Sequence, residues 1–168
     1  MSTDERTLLE MLHITKTYPG VMALSDVTFT AYRGEVHCLV GENGAGKSTL
    51  IKILAGAIQA DSGQILLNGR PVVIANPHQA QRLGLSFIFQ ELNVVDQLTV
   101  AGNITLGQER HRLGLLNRRA EEDFARAHLE PLGVAIDPRR RVKDLSVAEK
   151  QMVEIARALS FDASIIVM

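Results

Sequence analysis

Residues 40–49 read VGENGAGKST, and the reading of this stretch decides the fold. Positions 41–48 match G-x-x-x-x-G-K-[ST], with Gly41, Gly46, Lys47 and Ser48 in the required places and a further glycine at Gly44. From the composition of the chain, about 0.003 such matches are expected by chance. The pattern has a physical cause. Glycines let the backbone curl with its N–H groups pointing inward, and the N-terminus of the following helix adds partial positive charge, so a phosphate fits the concavity. Gly41, Glu42, Asn43, Gly44, Ala45, Gly46, Lys47, Ser48 and Thr49 are therefore the candidate phosphate-binding residues. In such a loop Lys47 meets the β and γ oxygens, and Ser48 offers its hydroxyl oxygen to Mg²⁺. A bare glycine-rich turn accounts for the glycines but not for the Lys47-Ser48 pair. Glu42 and Asn43 also suit an ordinary polar turn.

A loop of this kind needs a strand leading in and a helix leading out. Residues 35–40 form a short apolar run without alternation, which predicts a strand covered on both faces at the centre of a mostly parallel sheet. Residues 48–55 carry Leu50, Ile51, Ile53 and Leu54 around most of a helical circumference and stop at Gly56, predicting a largely buried helix. Upstream, Val27, Phe29 and Ala31 alternate with Asp26, Thr28 and Thr30, the period of a half-exposed strand over 24–31. Downstream, residues 65–67, Asn68-Gly69 and residues 71–74 read as a hairpin, since Asn-Gly readily takes the positive φ angles of a tight turn. A further apolar stretch covers 85–89, and helical potential runs from Val100 to Glu130. There Asn117 can cap a helix with Ala120, Phe124 and Ala127 on one stripe and an exposed Glu122–Arg126 pair. The basic run Arg139–Arg141 has no interleaved aromatics and reads as a solvated loop.

Composition bounds the function. The 168 residues suit one domain or a large piece of one, and 46% hydrophobic with 22% charged residues excludes whole-chain disorder. A net charge of −1 gives no global pull toward nucleic acid. No apolar run approaches the ~18–20 residues that cross a bilayer, and the start lacks an apolar signal core. The single cysteine, Cys38, lies inside VHCLV and reads as a small buried hydrophobe.

Five segments in order resemble the nucleotide-binding subunit of ATP-binding cassette (ABC) transporters, in particular the branch that imports ribose, galactose, xylose and similar monosaccharides. They are LHITKTYPGVMAL at 12–24, RGEVHCLVGENGAGKSTLIKILAG at 33–56, DSGQILLNGRPV at 61–72, IFQELNVV at 88–95 and LSVAEKQMVEIARAL at 145–159. The resemblance implies an α/β fold: a P-loop NTPase-like, mostly parallel sheet core with an antiparallel β edge and a helical subdomain. Residues 1–90 would hold the core and the edge, 91–159 the helical subdomain, and 160–168 the start of the Walker B strand. ATP and Mg²⁺ are the implied cofactors. Tyr18 looks like the aromatic that stacks on adenine, although before Pro19-Gly20 it also suits a half-buried turn position. Gln90 sits where the family places a glutamine that meets Mg²⁺ or the attacking water.

The family's L-S-G-G-Q signature appears as Leu145, Ser146, Val147, Ala148 and Glu149. Val147 and Ala148 restrict the backbone. Glu149 brings negative charge to a helix N-terminus that would meet the γ-phosphate held by a second cassette. Ser146 and Glu149 equally form S-x-x-E, a capping box before an amphipathic helix. The family's Walker B Asp, catalytic Glu and switch His have no counterparts in these residues. The chain is accordingly expected to be the N-terminal portion of a longer cassette, truncated before its end, marginal by itself and hydrolysis-deficient. Implied partners are a second ABC cassette in tandem or as a dimer, transmembrane permease subunits and, indirectly, an extracytoplasmic sugar-binding protein, with no nucleic acid. The implied location is peripheral, at the cytoplasmic face of the inner membrane. Among other classes, a GTPase lacks its N-K-x-D element here, and a small-molecule kinase leaves LSVAEKQ unexplained. A non-catalytic ATP-binding or regulatory module is the remaining alternative.

Overall fold

The computed structural model describes residues 6–88, 92–108, 111–112 and 115–168. They fall into two compact units that divide between Leu83 and Gly84.

In the first unit, β1 (Thr7–Tyr18) and β2 (Val21–Tyr32) form a long antiparallel pair joined at Pro19-Gly20. Helix α1 (Lys47–Leu54) follows the phosphate-loop sequence and buries Leu50, Ile53 and Leu54. The Asn68-Gly69 turn joins β3 (Ser62–Leu67) to β4 (Arg70–Val72), with φ of 52° at Asn68 and 71° at Gly69. Two consecutive positive φ angles are what the primed hairpin turn requires, and they explain the residue pair. The sheet order is β2-β1-β3-β4, antiparallel throughout. Leu9, Met11 and Ile14 of the central strand β1 are almost fully buried. Helix α2 (Pro77–Arg82) begins at Asn76, whose side chain accepts from the Gln79 N–H.

One expectation fails here. Residues 35–40 are irregular and exposed, with Val36 at 93% and Val40 at 87% accessibility. A strand buried on both faces needs ladder partners, and among the described residues no strand pairs with this segment. His37 folds back instead: its Nε2 accepts from the Tyr32 N–H at 3.1 Å, and its ring lies against Phe29 and Tyr32. Cys38 is exposed for the same reason, contrary to the buried position expected from VHCLV.

In the second unit, β5 (Leu85–Phe87) pairs in parallel with β8 (Ile165–Val167). Helix α3 (Val100–Ile104) is capped by the Thr99 hydroxyl. A two-residue ladder joins β6 (His111–Arg112) to β7 (Leu115–Leu116). Asn117 caps α4 (Arg118–Leu129) by accepting from the Ala120 N–H, as its residue type predicts. Helix α5 (Val147–Leu159) completes a core of Val100, Ile104, Ala125, Leu129, Val142, Val153 and Ala156.

The buried face of α4 is Glu121, Ala125 and Leu129, one position on from the expected Ala120–Phe124–Ala127 stripe. The small Ala125 turns fully inward, while Phe124, half-buried, packs at the margin of that core with its ring tilted against His128 at 4.3 Å between centroids. Glu122 and Arg126 do not pair among the described ion pairs; their fields act instead on Arg139 and Asp137. The Arg139–Arg141 run is exposed, as expected of a solvated loop, and two of its arginines have polar partners. Arg139 pairs with Asp137 at 3.0 Å, and Arg140 reaches Glu149 at 2.8 Å and the Asp144 carbonyl at 2.7 Å. Among the described residues no helix is long and apolar enough to cross a membrane.

A fully buried Asn103 fixes the segment before α3. It accepts from the Val95 N–H at 2.7 Å and donates to the carbonyls of Val95 at 3.0 Å and Thr99 at 3.1 Å. Asn103→Ala removes all three bonds and takes away the acceptor of the Val95 N–H, while the Val95 and Thr99 carbonyls keep the backbone donors Leu98 and Asn103. It is expected to destabilise the chain by about 1–3 kcal/mol in urea unfolding, with faster amide exchange at Val95.

Candidate functional site

The phosphate-loop residues Gly41–Ala45 are exposed, Gly46 and Lys47 are half-buried, and Ser48 is exposed at the start of α1. The Ala45 N–H donates to the Glu42 carbonyl at 3.2 Å, closing a turn inside the loop. Gly44 and Gly46 have φ of 87° and 86°, and Gly46 is the residue that caps α1. A Cβ on Gly46 would lie 2.6 Å from both the Ala23 carbonyl oxygen and Leu24 Cδ2. Only glycine therefore satisfies both the left-handed backbone and the contact with β2.

That contact ties the loop to the aromatic candidate. Tyr18 opposes Val21 across the β1–β2 turn, and the loop rests on Ala23 and Leu24 of the same strand. Tyr18 is the last residue of β1 and is 37% exposed, so it offers a ring surface to solvent. The Lys16 ammonium lies 5.9 Å from its centroid, within cation–π range.

Lys47 Nζ donates to the carbonyls of Gly41 at 2.5 Å and Glu42 at 2.8 Å, so the ammonium is held at the loop itself. By helix geometry the N–H groups of the first turn of α1 lack intrahelical acceptors, and that turn contains no acidic residue. A lysine ammonium, oriented backbone donors and a helix N-terminus without competing negative charge form an arrangement that accepts a polyphosphate. Ser48, next in the chain, has an exposed hydroxyl suited to a hard cation such as Mg²⁺. The residues present thus fit a nucleotide with its metal.

The Leu145–Glu149 segment lies in the second unit. Leu145 is buried and Ser146, Val147 and Ala148 are exposed. The capping box is complete: Ser146 Oγ accepts from the Glu149 N–H at 3.3 Å, and the Ser146 N–H donates to Glu149 Oε2 at 2.7 Å. Hydrogen bonds from the Ser146 N–H and hydroxyl, with Arg140 added, hold the Glu149 carboxyl below the usual carboxylate range. The negative charge expected to face outward from this helix start is therefore turned back onto Ser146 and paired with Arg140. Gln90 lies outside the described residues.

Sequence reasoning missed three acidic partners. Asp61 accepts from Lys16 Nζ at 2.6 Å and from the Thr17 N–H at 2.7 Å, and its carboxyl is held below its ordinary range by those bonds. Asp96 accepts from Lys150 Nζ at 2.7 Å, while Glu154 and Arg157 of α5 bond the backbone N–H and carbonyl of Asn93. These partners are 44 to 64 residues apart in the chain, so no local period signals them.

Comparison with known proteins gives the family. The ABC transporter family matches residues 24–168, and the chain belongs to it. A ribose import ATP-binding protein of Rubrobacter xylanophilus is 58% identical over 163 residues, which cover 97% of this chain and 33% of that protein. One from Clostridium perfringens is 47% identical over 167 residues, covering 98% of this chain and 33% of its own length. The chain spans about a third of the length of the curated relatives it matches. A crystal structure of a nucleotide-free ATP-binding cassette superposes with a TM-score of 0.79 at 28% identity, covering 96% of this chain and 68% of that one. Another ABC transporter cassette gives 0.81 at 26% identity, covering 95% and 67%.

Two outcomes follow from the geometry. Gly46→Ala places a methyl group against β2 in a left-handed backbone, and thermal or urea unfolding is expected to show a loss of about 2 kcal/mol or more. Because the native pKa of Glu149 is depressed, its ionised form stabilises the fold above the unfolded carboxylate pKa. That contribution is lost as pH falls through the native value. The stability difference between the wild type and Glu149→Ala is expected to be constant near neutral pH and to shrink below the ordinary carboxylate range.

Proposed function

We propose that this chain binds ATP with Mg²⁺ and forms the nucleotide-binding part of an ABC-type importer of ribose or a related monosaccharide. The observation that carries the reading is the Gly41–Thr49 loop, with Lys47 bonded across it, the positive-φ glycines and the exposed start of α1. In this reading Gly41–Thr49 hold the triphosphate and Ser48 gives an oxygen to Mg²⁺. Tyr18 stacks on adenine, and Gln90 serves the metal or the attacking water. Mg²⁺, when bound, neutralises charge on the phosphate oxygens, and Lys47 adds to that stabilisation where charge develops on phosphoryl transfer.

Ser146–Glu149 would face nucleotide held by a second cassette, and an N-terminus capped by Ser146 is compatible with that role. The division into core, helical subdomain and Walker B start, near residues 90 and 160, belongs to the same reading. The names of the relatives support sugar import as the work of the whole protein; permease subunits and an extracytoplasmic sugar-binding protein are its partners in this reading. A peripheral position at the cytoplasmic face of the inner membrane belongs to the same reading. ATP hydrolysis is assigned to the whole protein.

Lys47→Ala tests the reading. Losing a charged donor at the phosphates is expected to weaken Mg·ATP binding at least about tenfold in equilibrium titration. In cells whose ribose uptake depends on the whole protein, the same substitution is expected to abolish uptake. Unchanged ATP affinity, or GTP displacing ATP at lower concentration, would contradict the assignment.

A further inference from the structure

Asp61 stands where the β1–β3 ladder ends. The last paired residues are Thr15 and Ser62, and the Asp61 N–H still donates to the Thr15 carbonyl at 2.9 Å. Two residues further along β1, the Thr17 N–H would be the next ladder donor, but the backbone of β3 no longer runs beside it. The Asp61 side chain takes over: Oδ2 accepts from the Thr17 N–H at 2.7 Å. Its other oxygen, Oδ1, accepts from Lys16 Nζ at 2.6 Å, and that ammonium lies 5.9 Å from the centroid of the Tyr18 ring. One carboxylate therefore fixes the Lys16–Thr17 peptide, one residue short of Tyr18, and the cation beside its ring, while its own backbone is anchored to Thr15.

We propose that Asp61 is a positioning residue for the nucleotide base: through Thr17 and Lys16 it sets the place and orientation of Tyr18 as the adenine platform. The inference rests on the reading of Tyr18 as the stacking residue. A ring at the end of a strand, followed by a Pro19-Gly20 turn, loses stacking energy if the strand end frays, because stacking depends on ring position and tilt. The carboxyl of Asp61 is held below its usual range by Lys16 and Thr17, so the clamp is ionised and intact at neutral pH. A role confined to closing the sheet edge would affect every ligand of this unit alike, whereas positioning of Tyr18 affects only ligands that carry a base.

The test compares Mg·ATP with magnesium tripolyphosphate, which the phosphate loop can hold without a base, on the full 168-residue chain. Tyr18→Ala is expected to weaken ATP about tenfold or more and to leave tripolyphosphate within about twofold. Asp61→Ala is expected to weaken ATP about three- to tenfold with the same indifference to tripolyphosphate. Asp61→Asn should fall between Asp61→Ala and the wild type, because its amide oxygen still accepts from Thr17.

A spectroscopic signature accompanies the binding. The chain has 2 Tyr and no Trp, so in Tyr32→Phe the emission of Tyr18 alone reports stacking. Asp61→Ala in that background should move half-quenching to higher ATP. If Asp61→Ala fails to fold, Lys16→Met, which keeps the Thr17 bond, is expected to show the same ATP-only loss at smaller size. Equal weakening of ATP and tripolyphosphate by Asp61→Ala or Lys16→Met overturns the proposal. So does an unchanged ATP affinity in these variants when Tyr18→Ala weakens it. An unchanged affinity in Tyr18→Ala itself removes the adenine reading, and the proposal with it.

Discussion

The close approach of Gly46 to Ala23 and Leu24 is the constraint on which the nucleotide-binding unit depends. It seats the start of α1 on β2, and β2 in turn pairs with the end of β1, where Tyr18 opposes Val21. A phosphate cradle is a backbone device whose N–H groups work only if the loop keeps one shape. In this chain the shape is kept by a left-handed glycine pressed on a strand, by the Ala45–Glu42 turn and by a lysine bonded across two carbonyls. Charge follows from that shape: the ammonium, the helix start and the lack of acidic residues in the first turn of α1 all favour an anion.

In the second unit the same logic acts through side chains. The start of α5 is held by the Ser146–Glu149 capping box, and Arg140 from the preceding loop neutralises Glu149. Further along, Lys150, Glu154 and Arg157 hold the segment at Asn93 and Asp96, and Asn103 holds it between them at Val95. A segment with little regular structure is thereby given fixed partners for its backbone groups. The two glycines of the family's signature are replaced here by Val147 and Ala148, and the cap provides the order of this helix start.

Local signals were legible in the sequence wherever one residue type has one geometric use. Asn68-Gly69 announced its hairpin, Asn117 and Ser146 their caps, and G-x-x-x-x-G-K-S its turn ahead of a helix. Illegible were features decided by partners far away in the chain. The apolar run at 35–40 predicts a buried strand, yet strand formation depends on neighbours to exchange hydrogen bonds with, and none of the described strands lies beside it. The stripe on α4 was misplaced by one residue because Phe124 finds His128 on its own helix while small Ala125 allows close packing. The Asp61 and Arg140 contacts join residues whose spacing has no relation to a helical or strand period.

The central claim, that the Gly41–Thr49 loop and Tyr18 together form one nucleotide site, is tested most directly by NMR titration of the labelled chain with Mg·ATP. The account predicts saturable shifts concentrated in the amides of residues 41–49 and in the ring protons of Tyr18, all following one binding curve. Shifts confined to other residues, or no saturation at either place, would contradict it.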